Sequence, residues 1–216
     1  MAYDLEEQEQ LASIKAWWSQ YGNLISWFLV IALAGYAAWT GWNTYERSQS
    51  AHASQLYEEL KKAVAAKDNA KVQRAATDIE EKFNHTAYAQ MAALTAAKAA
   101  FEGNDLKTAK TQLQWVIDHG HDEEYKAIAK IRLAGILLDE KAYDEGLRIL
   151  SGNLPDAFKS VAMDRKGDIL LAQNKLAEAR VAYQAALDSM EQKNPMRQLT
   201  QLKLDAIGGN PSKTAG

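Results

Sequence analysis

The densest group of metal-type ligands in the chain is Asp118-His119-Gly120-His121-Asp122. Two imidazoles and two carboxylates within one turn are donors that a borderline divalent cation accepts. A closed site needs more convergence than this. His52 and His85 stand alone, and no second His-rich segment completes a ligand set. The cluster falls where a helix should end, with Gly120 placed as its C-cap. Histidine beside a helix C-terminus is favoured by the dipole alone. The segment therefore reads as a cap. Cysteine is absent, which excludes thiolate metal sites, disulfides and a cysteine nucleophile. The carboxylate pairs Glu58-Glu59 and Glu80-Glu81 have lysines nearby and read as solvated helix faces, not acid–base pairs. No nucleophile elbow, phosphate loop, dinucleotide fingerprint or His-Glu-x-x-His is present. The expectation is a non-enzyme with no catalytic residue, cofactor or metal.

What remains is recognition, and the elements that would position it are helices. Beyond Ser48 the chain is rich in Ala, Leu, Lys, Glu and Gln, with proline only at 155, 195 and 211. No stretch alternates with period two long enough for a strand. Helical periodicity predicts segments at 54–67, 70–84, 86–102, 105–118, 123–139, 143–151, 156–173, 175–190 and 195–206. Breaks at Lys67-Asp68-Asn69, Gly103-Asn104-Asp105, Glu140-Lys141-Ala142 and Gln173-Asn174-Lys175 separate helix pairs, and their Asn and Asp residues are suited to capping. The first apolar residue after each break is Val72, Leu106, Tyr143 or Leu176, at spacings of 34, 37 and 33. A small residue follows three positions later: Ala75, Ala109, Gly146, Ala179. Another lies twelve before it: Ala63, Ala97, Ala134, Gly167. Small residues at these offsets let antiparallel helices approach closely. The period and offsets resemble tetratricopeptide repeats. The expected fold class is all-α, a single N-terminal transmembrane helix followed by a tetratricopeptide-like helical-repeat solenoid over residues 54–206. Trp115 is expected in the core of the second repeat.

Stacked repeats share a core and leave a concave face. In tetratricopeptide domains that face is lined by set positions of each first helix. Carried onto this chain they are Tyr57, Leu60, Met91, Leu94 and Phe101, then Ile128, Ile131 and Leu138, then Asp164, Asp168 and Leu171. Most are apolar, which suits unfolded or amphipathic polypeptide rather than a charged peptide terminus. The competing expectation is that several pack against a neighbouring helix or a folded-over C-terminal segment.

Residues 16–45 carry no charge and hold five of the six tryptophans. Trp17, Trp18 and Tyr21 lie at one end, and Trp39, Trp42 and Tyr45 at the other. From Trp18 to Trp39 a helix rises about 32 Å, matching a hydrocarbon core of about 30 Å with an aromatic belt at each interface. The acidic leader and the long apolar run do not fit a cleaved signal peptide, although Ala51-His52-Ala53 mimics a cleavage site. The reading is a leader over 1–20, a transmembrane helix over 21–43, a linker over 44–53 and a disordered tail over 207–216. The small pairs Ala34/Ala38 and Ala37/Gly41 permit close helix contact in lipid. Excluding residues 1–42, with their four acids and Lys15, leaves 24 acids against 24 bases of the total 28 and 25. So balanced a surface lacks the basic stripe that nucleic-acid binding needs. Orientation stays open. Lys15 alone precedes the span while Arg47, Lys61 and Lys62 follow, which favours a cytoplasmic domain, but long C-terminal domains translocate largely regardless of charge.

The leader motif Leu11-x-x-Ile14-Lys15-x-Trp17-Trp18-x-x-x-Gly22, the span ending at Gly41-Trp42, and the segments Ala127–Ala134 and Asp164–Leu171 resemble the ancillary SecYEG translocon subunit family (YfgM-like) of Gram-negative bacteria. The resemblance covers nearly the whole chain. It implies a cytoplasmic N-terminus, one pass through the inner membrane, and a periplasmic domain beside the SecYEG translocon. It also implies work with the periplasmic chaperone PpiD on emerging envelope proteins, a link to an envelope-stress phosphorelay, and an empty catalytic list. The alternative from a different class is a cytoplasm-facing scaffold that sequesters or regulates a signalling protein.

Overall fold

Without proline before position 155, helix ends in most of this chain must be set by turn residues. The computed structural model describes residues 2–208, with side chains from residue 7 onward. The described residues form nine α-helices and no strand. They are α1 (Ala2–Ala65), α2 (Asn69–Lys82), α3 (Ala87–Glu102), α4 (Leu106–His119), α5 (Glu123–Asp139), α6 (Tyr143–Leu150), α7 (Asp156–Ala172), α8 (Leu176–Ser189) and α9 (Met196–Ala206). The all-helical expectation holds, and the helix ends from α2 onward fall within two residues of those read from periodicity. Residues 44–53, expected as a linker, are helical. They contain neither Gly nor Pro to stop the i→i−4 ladder, and Thr44 Oγ1 bonds back to the Thr40 carbonyl at 2.9 Å. The expected tail over 207–216 lies outside the described residues from 209 onward.

The chain divides into two units at Gln49. The first is α1 up to Gln49, which contains its apolar stretch. It is the one described helix long and apolar enough to cross a membrane, and none of its most apolar stretch is buried. Gly22 is buried because the Trp18 indole folds over it. A Cβ there would lie 3.0 Å from the ring.

The second unit, from Ser50, is four helix pairs and a terminal helix. The pairs are the C-terminal part of α1 with α2, then α3–α4, α5–α6 and α7–α8. Each closes with the same turn. Lys67, Asn104, Lys141 and Asn174 adopt φ of 55°, 60°, 62° and 61°. The next residue donates its N–H to the carbonyl five residues back: Asp68 to Ala63, Asp105 to Ala100, Ala142 to Leu137, Lys175 to Leu170, at 2.8–3.0 Å. This 6→1 bond with a left-handed residue is the Schellman arrangement, and asparagine tolerates it best after glycine. Asp68 and Asp105 then cap α2 and α4 by accepting from the N–H of Lys71 and Thr108, both at 3.1 Å.

The turns correct the register of the first repeat. The left-handed residues are 37, 37 and 33 apart, not 34, 37 and 33. Counting from each turn, the counterparts of Ala109, Gly146 and Ala179 include Val72 instead of Ala75. The counterparts of Ala97, Ala134 and Gly167 include Leu60 instead of Ala63. Both Leu60 and Val72 are fully buried.

The core is shared between neighbours. Leu60, Val72, Ala76 and Ile79 pack on Ala89, Ala92, Ala96 and Ala99 of α3. The other side of α3, with Ala93, Ala97 and Ala100, packs on Leu113 and Val116 of α4 and Leu133 and Ile136 of α5. A helix packed on both sides has no polar stripe to spare, hence the alanine-rich α3. Trp115 touches both of these clusters, so it seals the junction of the first two repeats rather than filling the second alone. Later clusters join α5 to α7 and α7 to α9.

Candidate functional site

Two open hollows on the first helices of successive pairs form the concave face. One, about 400 Å³, is lined from α1, α3 and α5 by Tyr57, Met91, Leu94, Thr95, Ile128 and Arg132, among others. The other, about 360 Å³, is lined from α3, α4, α5 and α7, with Phe101, Leu113 and Ile136 forming its apolar part. Lys98 and Arg132 belong to both.

The structure brings together five of the eleven positions expected in the groove. Tyr57, Met91, Leu94 and Ile128 share the first hollow. Phe101, 47% exposed, lies in the second. Tyr57 is held by a tilted stack on Tyr88, with centroids 5.7 Å apart. The other six are not in these hollows. Leu60 is core because the register shift gives it a helix-contact position. Ile131 and Leu138 pack into the cluster between α5 and α7. Leu171 packs against the cluster under α9.

Asp164 and Asp168 are taken by α9, the folded-over C-terminal segment. Asp164 is buried and accepts from Thr200 Oγ1 at 2.8 Å and Lys203 Nζ at 2.7 Å. Asp168 accepts from Lys203 Nζ at 2.8 Å and the Tyr183 hydroxyl at 2.9 Å. Burial, followed by the charge of Asp168, raises the Tyr183 phenol well above its ordinary range. α9 thus closes the concave face at its last repeat.

The groove residues missed from the sequence are Thr95, Lys98, Arg132, Gly135 and Arg165. They lie six or nine residues before each left-handed turn residue. Arg132 and Arg165 are equivalent in successive repeats. The signal was present in that spacing.

The Asp118–Asp122 cluster does not converge. His119 stacks on Trp115, centroids 5.2 Å apart, and His121 stacks on His85 at 5.9 Å. Among the described residues no three ligand-type side chains form a metal-binding group. Gly120 caps α4 in extended conformation, with φ −60° and ψ 143°. It is needed there for space. A Cβ would meet the Val116 carbonyl at 2.5 Å and Gln90 Oε1 at 2.9 Å. Gln90 Oε1 accepts from the N–H groups of His121 and Asp122, both at 3.1 Å. Glu58 is exposed, but Glu80, expected on a solvated face, is buried on α2 at 9% exposure. Burial, then the neighbouring Glu81 charge, pushes its carboxyl up to about 7.

The expected membrane anchors all face outward from α1. Trp17, Trp18 and Tyr21 are 43–56% exposed; Trp39, Trp42 and Tyr45 are 59–65% exposed. Trp17 pairs with Tyr21 at 5.8 Å and Trp42 with Tyr45 at 6.4 Å.

The profile of the tetratricopeptide repeat-like domain family matches residues 15–209. A Neisseria gonorrhoeae protein named ancillary SecYEG translocon subunit is 31% identical over 208 residues, covering 96% of this chain and 100% of its own. The Haemophilus influenzae protein of that name is 27% identical over 207 residues, again 96% and 100%. The Escherichia coli one is 25% identical over 186 residues, 85% of this chain and 88% of its own. No solved structure matches the chain.

Proposed function

The chain belongs to the ancillary SecYEG translocon subunit family, with its tetratricopeptide repeat-like domain, and from that membership we propose that it is a non-enzymatic accessory subunit of the Sec protein-export translocon in the bacterial inner membrane. Its N-terminus is cytoplasmic, residues 21–43 cross the lipid once, and the repeat domain over 54–206 is periplasmic. There the groove of Tyr57, Met91, Leu94, Phe101 and Ile128 binds polypeptide, either the chaperone PpiD or nascent and unfolded envelope proteins leaving SecYEG.

The observation that supports this most is the combination of two features in one chain. One is an exposed apolar helix of bilayer length. The other is a repeat unit whose concave face keeps aromatic and aliphatic side chains open to solvent. Tethering supplies the mechanism, because a short tether raises the effective concentration of a weak binder to about millimolar.

Photo-crosslinkers at Met91 and Phe101 test the groove, with exposed Val181 on α8 as the comparison. Capture of translocon subunits, PpiD or exported chains from the groove positions alone is expected. Equal capture from Val181 would refute the assignment. The cytoplasm-facing scaffold is kept as the second reading by the bases that follow the span, Arg47, Lys61 and Lys62. The chain has no cysteine, so a single Ser212→Cys reports the side. A membrane-impermeant thiol reagent should label it once the outer membrane is opened. Labelling only after inner-membrane lysis would select the scaffold.

A further inference from the structure

The floor of the second hollow is apolar, but its walls are not. Lys98 on α3, Arg132 on α5 and Arg165 on α7 line it together. These three cations come from three successive repeats, and among the described residues none has a strong partner. Lys98 reaches Glu102 at 3.7 Å, with both side chains mostly exposed. Among the described residues Arg132 donates only to the Leu94 carbonyl, at 3.5 Å. Arg165 Nη1 reaches Asp168 at 3.5 Å, and Asp168 already accepts from Lys203 and Tyr183. Arg165 Nε is buried and finds no acceptor among the described residues.

A guanidinium is a planar fork whose donors match a carboxylate, and a buried donor without an acceptor is costly. Gly135 makes room for the fork. The site of a Cβ on it is 3.6 Å from Arg165 Cζ, an ordinary contact distance, so the guanidinium lies across α5 where a side chain longer than alanine would push it away. Acids are present too: Asp139 in this hollow and Glu102 in the adjoining one. Among the residues lining the two hollows, cations thus outnumber acids by three to two over an apolar base. The two hollows share Lys98 and Arg132, so a segment lying in one can run on into the other without ending.

We infer that this part of the groove selects an extended polypeptide segment in which an Asp or Glu side chain stands beside a large apolar residue. The carboxylate seats between Arg132 and Arg165, with Lys98 adding charge. The apolar side chain rests on Phe101, Leu113 and Ile136. The inference builds on the groove being a polypeptide site and adds what that site prefers. Apolar contact gives most of the affinity, and the cations give the choice of sequence.

The test uses the full-length chain in nanodiscs and two fluorescent decapeptide pools. Each pool carries one Phe or Leu among Gly, Ser, Ala, Thr and Gln. They differ only in whether the next position is Asp or Asn. The Asp pool should bind at least fivefold tighter by fluorescence anisotropy, and added salt should shrink the difference. Arg132→Gln and Arg165→Gln should each weaken the Asp pool more than the Asn pool and so remove the difference between the two. Lys98→Gln, at an exposed position that folding does not need, should reduce the preference partway. Equal binding of the two pools, or absence of binding by both, would overturn the inference. So would variants that weaken both pools alike. The broader reading fails separately, through the cross-linking at Met91 and Phe101.

Discussion

Glu80 shows how far one residue can depart from its local context. Ile79-Glu80-Glu81-Lys82 reads as a polar helix end, yet the side chain is buried with Gln112 of α4 beside it and Oε1 lacks a partner. That burial comes from the next repeat, thirty residues away, so no local pattern could reveal it. The raised carboxyl has a definite consequence. Below about pH 4.5 it is protonated whether folded or unfolded and costs nothing. As pH rises toward 7 the folded chain holds a proton that the unfolded chain has released, so stability falls over that window. Glu80→Gln removes the penalty. It should stabilise the repeat unit by about 1–3 kcal/mol at pH 8 and leave it nearly unchanged at pH 4.5. Thermal unfolding at the two pH values checks this; an equal gain at both would mean the carboxyl is solvated. Gly167 is a second residue-scale case. A Cβ there would run into the Tyr183 ring, whereas one at Gly135 would meet nothing nearer than 3.6 Å. Gly167→Ala should cost about 1–3 kcal/mol through overpacking. Gly135→Ala should be neutral or gain up to about 1 kcal/mol of helix propensity. Similar melting shifts for both would contradict the packing described.

At the scale of the element, the helices were legible because their ends are chemical. Asn104, Asn174, Asp68 and Asp105 sit where a left-handed turn or an N-cap requires them, and their clustering marks each break. The register of the first pair was not legible. Leu60 and Val72 hold positions that later repeats give to Ala or Gly, and Ala63 and Ala75, three residues further on, imitate the pattern. The fate of Asp164 and Asp168 was hidden for another reason. Their partners, Thr200 and Lys203, are on α9, beyond the last pair. α9 is therefore a cap with a polar lock, which makes a direct prediction. Lys203 is 24% exposed and Asp164 only 6% at the side chain, so removing the cation strands a buried carboxylate. Lys203→Met should destabilise by about 2–3 kcal/mol, the partial exposure of Lys203 tempering the larger cost of a fully buried pair. Asp164→Leu combined with Lys203→Met should cost less than the two single changes summed, as measured by a double-mutant cycle. Strict additivity would mean the pair contributes no coupling.

At the scale of the whole molecule, the all-α class and the membrane address were both readable from composition, because lipid selects an uncharged run and aromatic flanks without help from distant contacts. The groove was half readable. Its apolar members follow from repeat spacing, while its cations emerge only once the turns fix which residues of α3, α5 and α7 point the same way. The address and the groove have separable physical causes, and the last prediction exploits that. Leu29 and Leu33 are exposed in the middle of the apolar run, at 54% and 67%. An arginine at the centre of a spanning helix costs about 2.5–3.5 kcal/mol. Leu29→Arg with Leu33→Arg should therefore move the chain from the carbonate-resistant membrane fraction into the extractable one. No core cluster of the repeat unit includes a residue before Leu56, so its circular dichroism and melting should persist. Capture from Met91 should then fall even though the groove is intact, because the effective concentration supplied by the tether is gone. Undiminished capture by the extracted protein would show that affinity alone, without membrane placement, sustains the interaction.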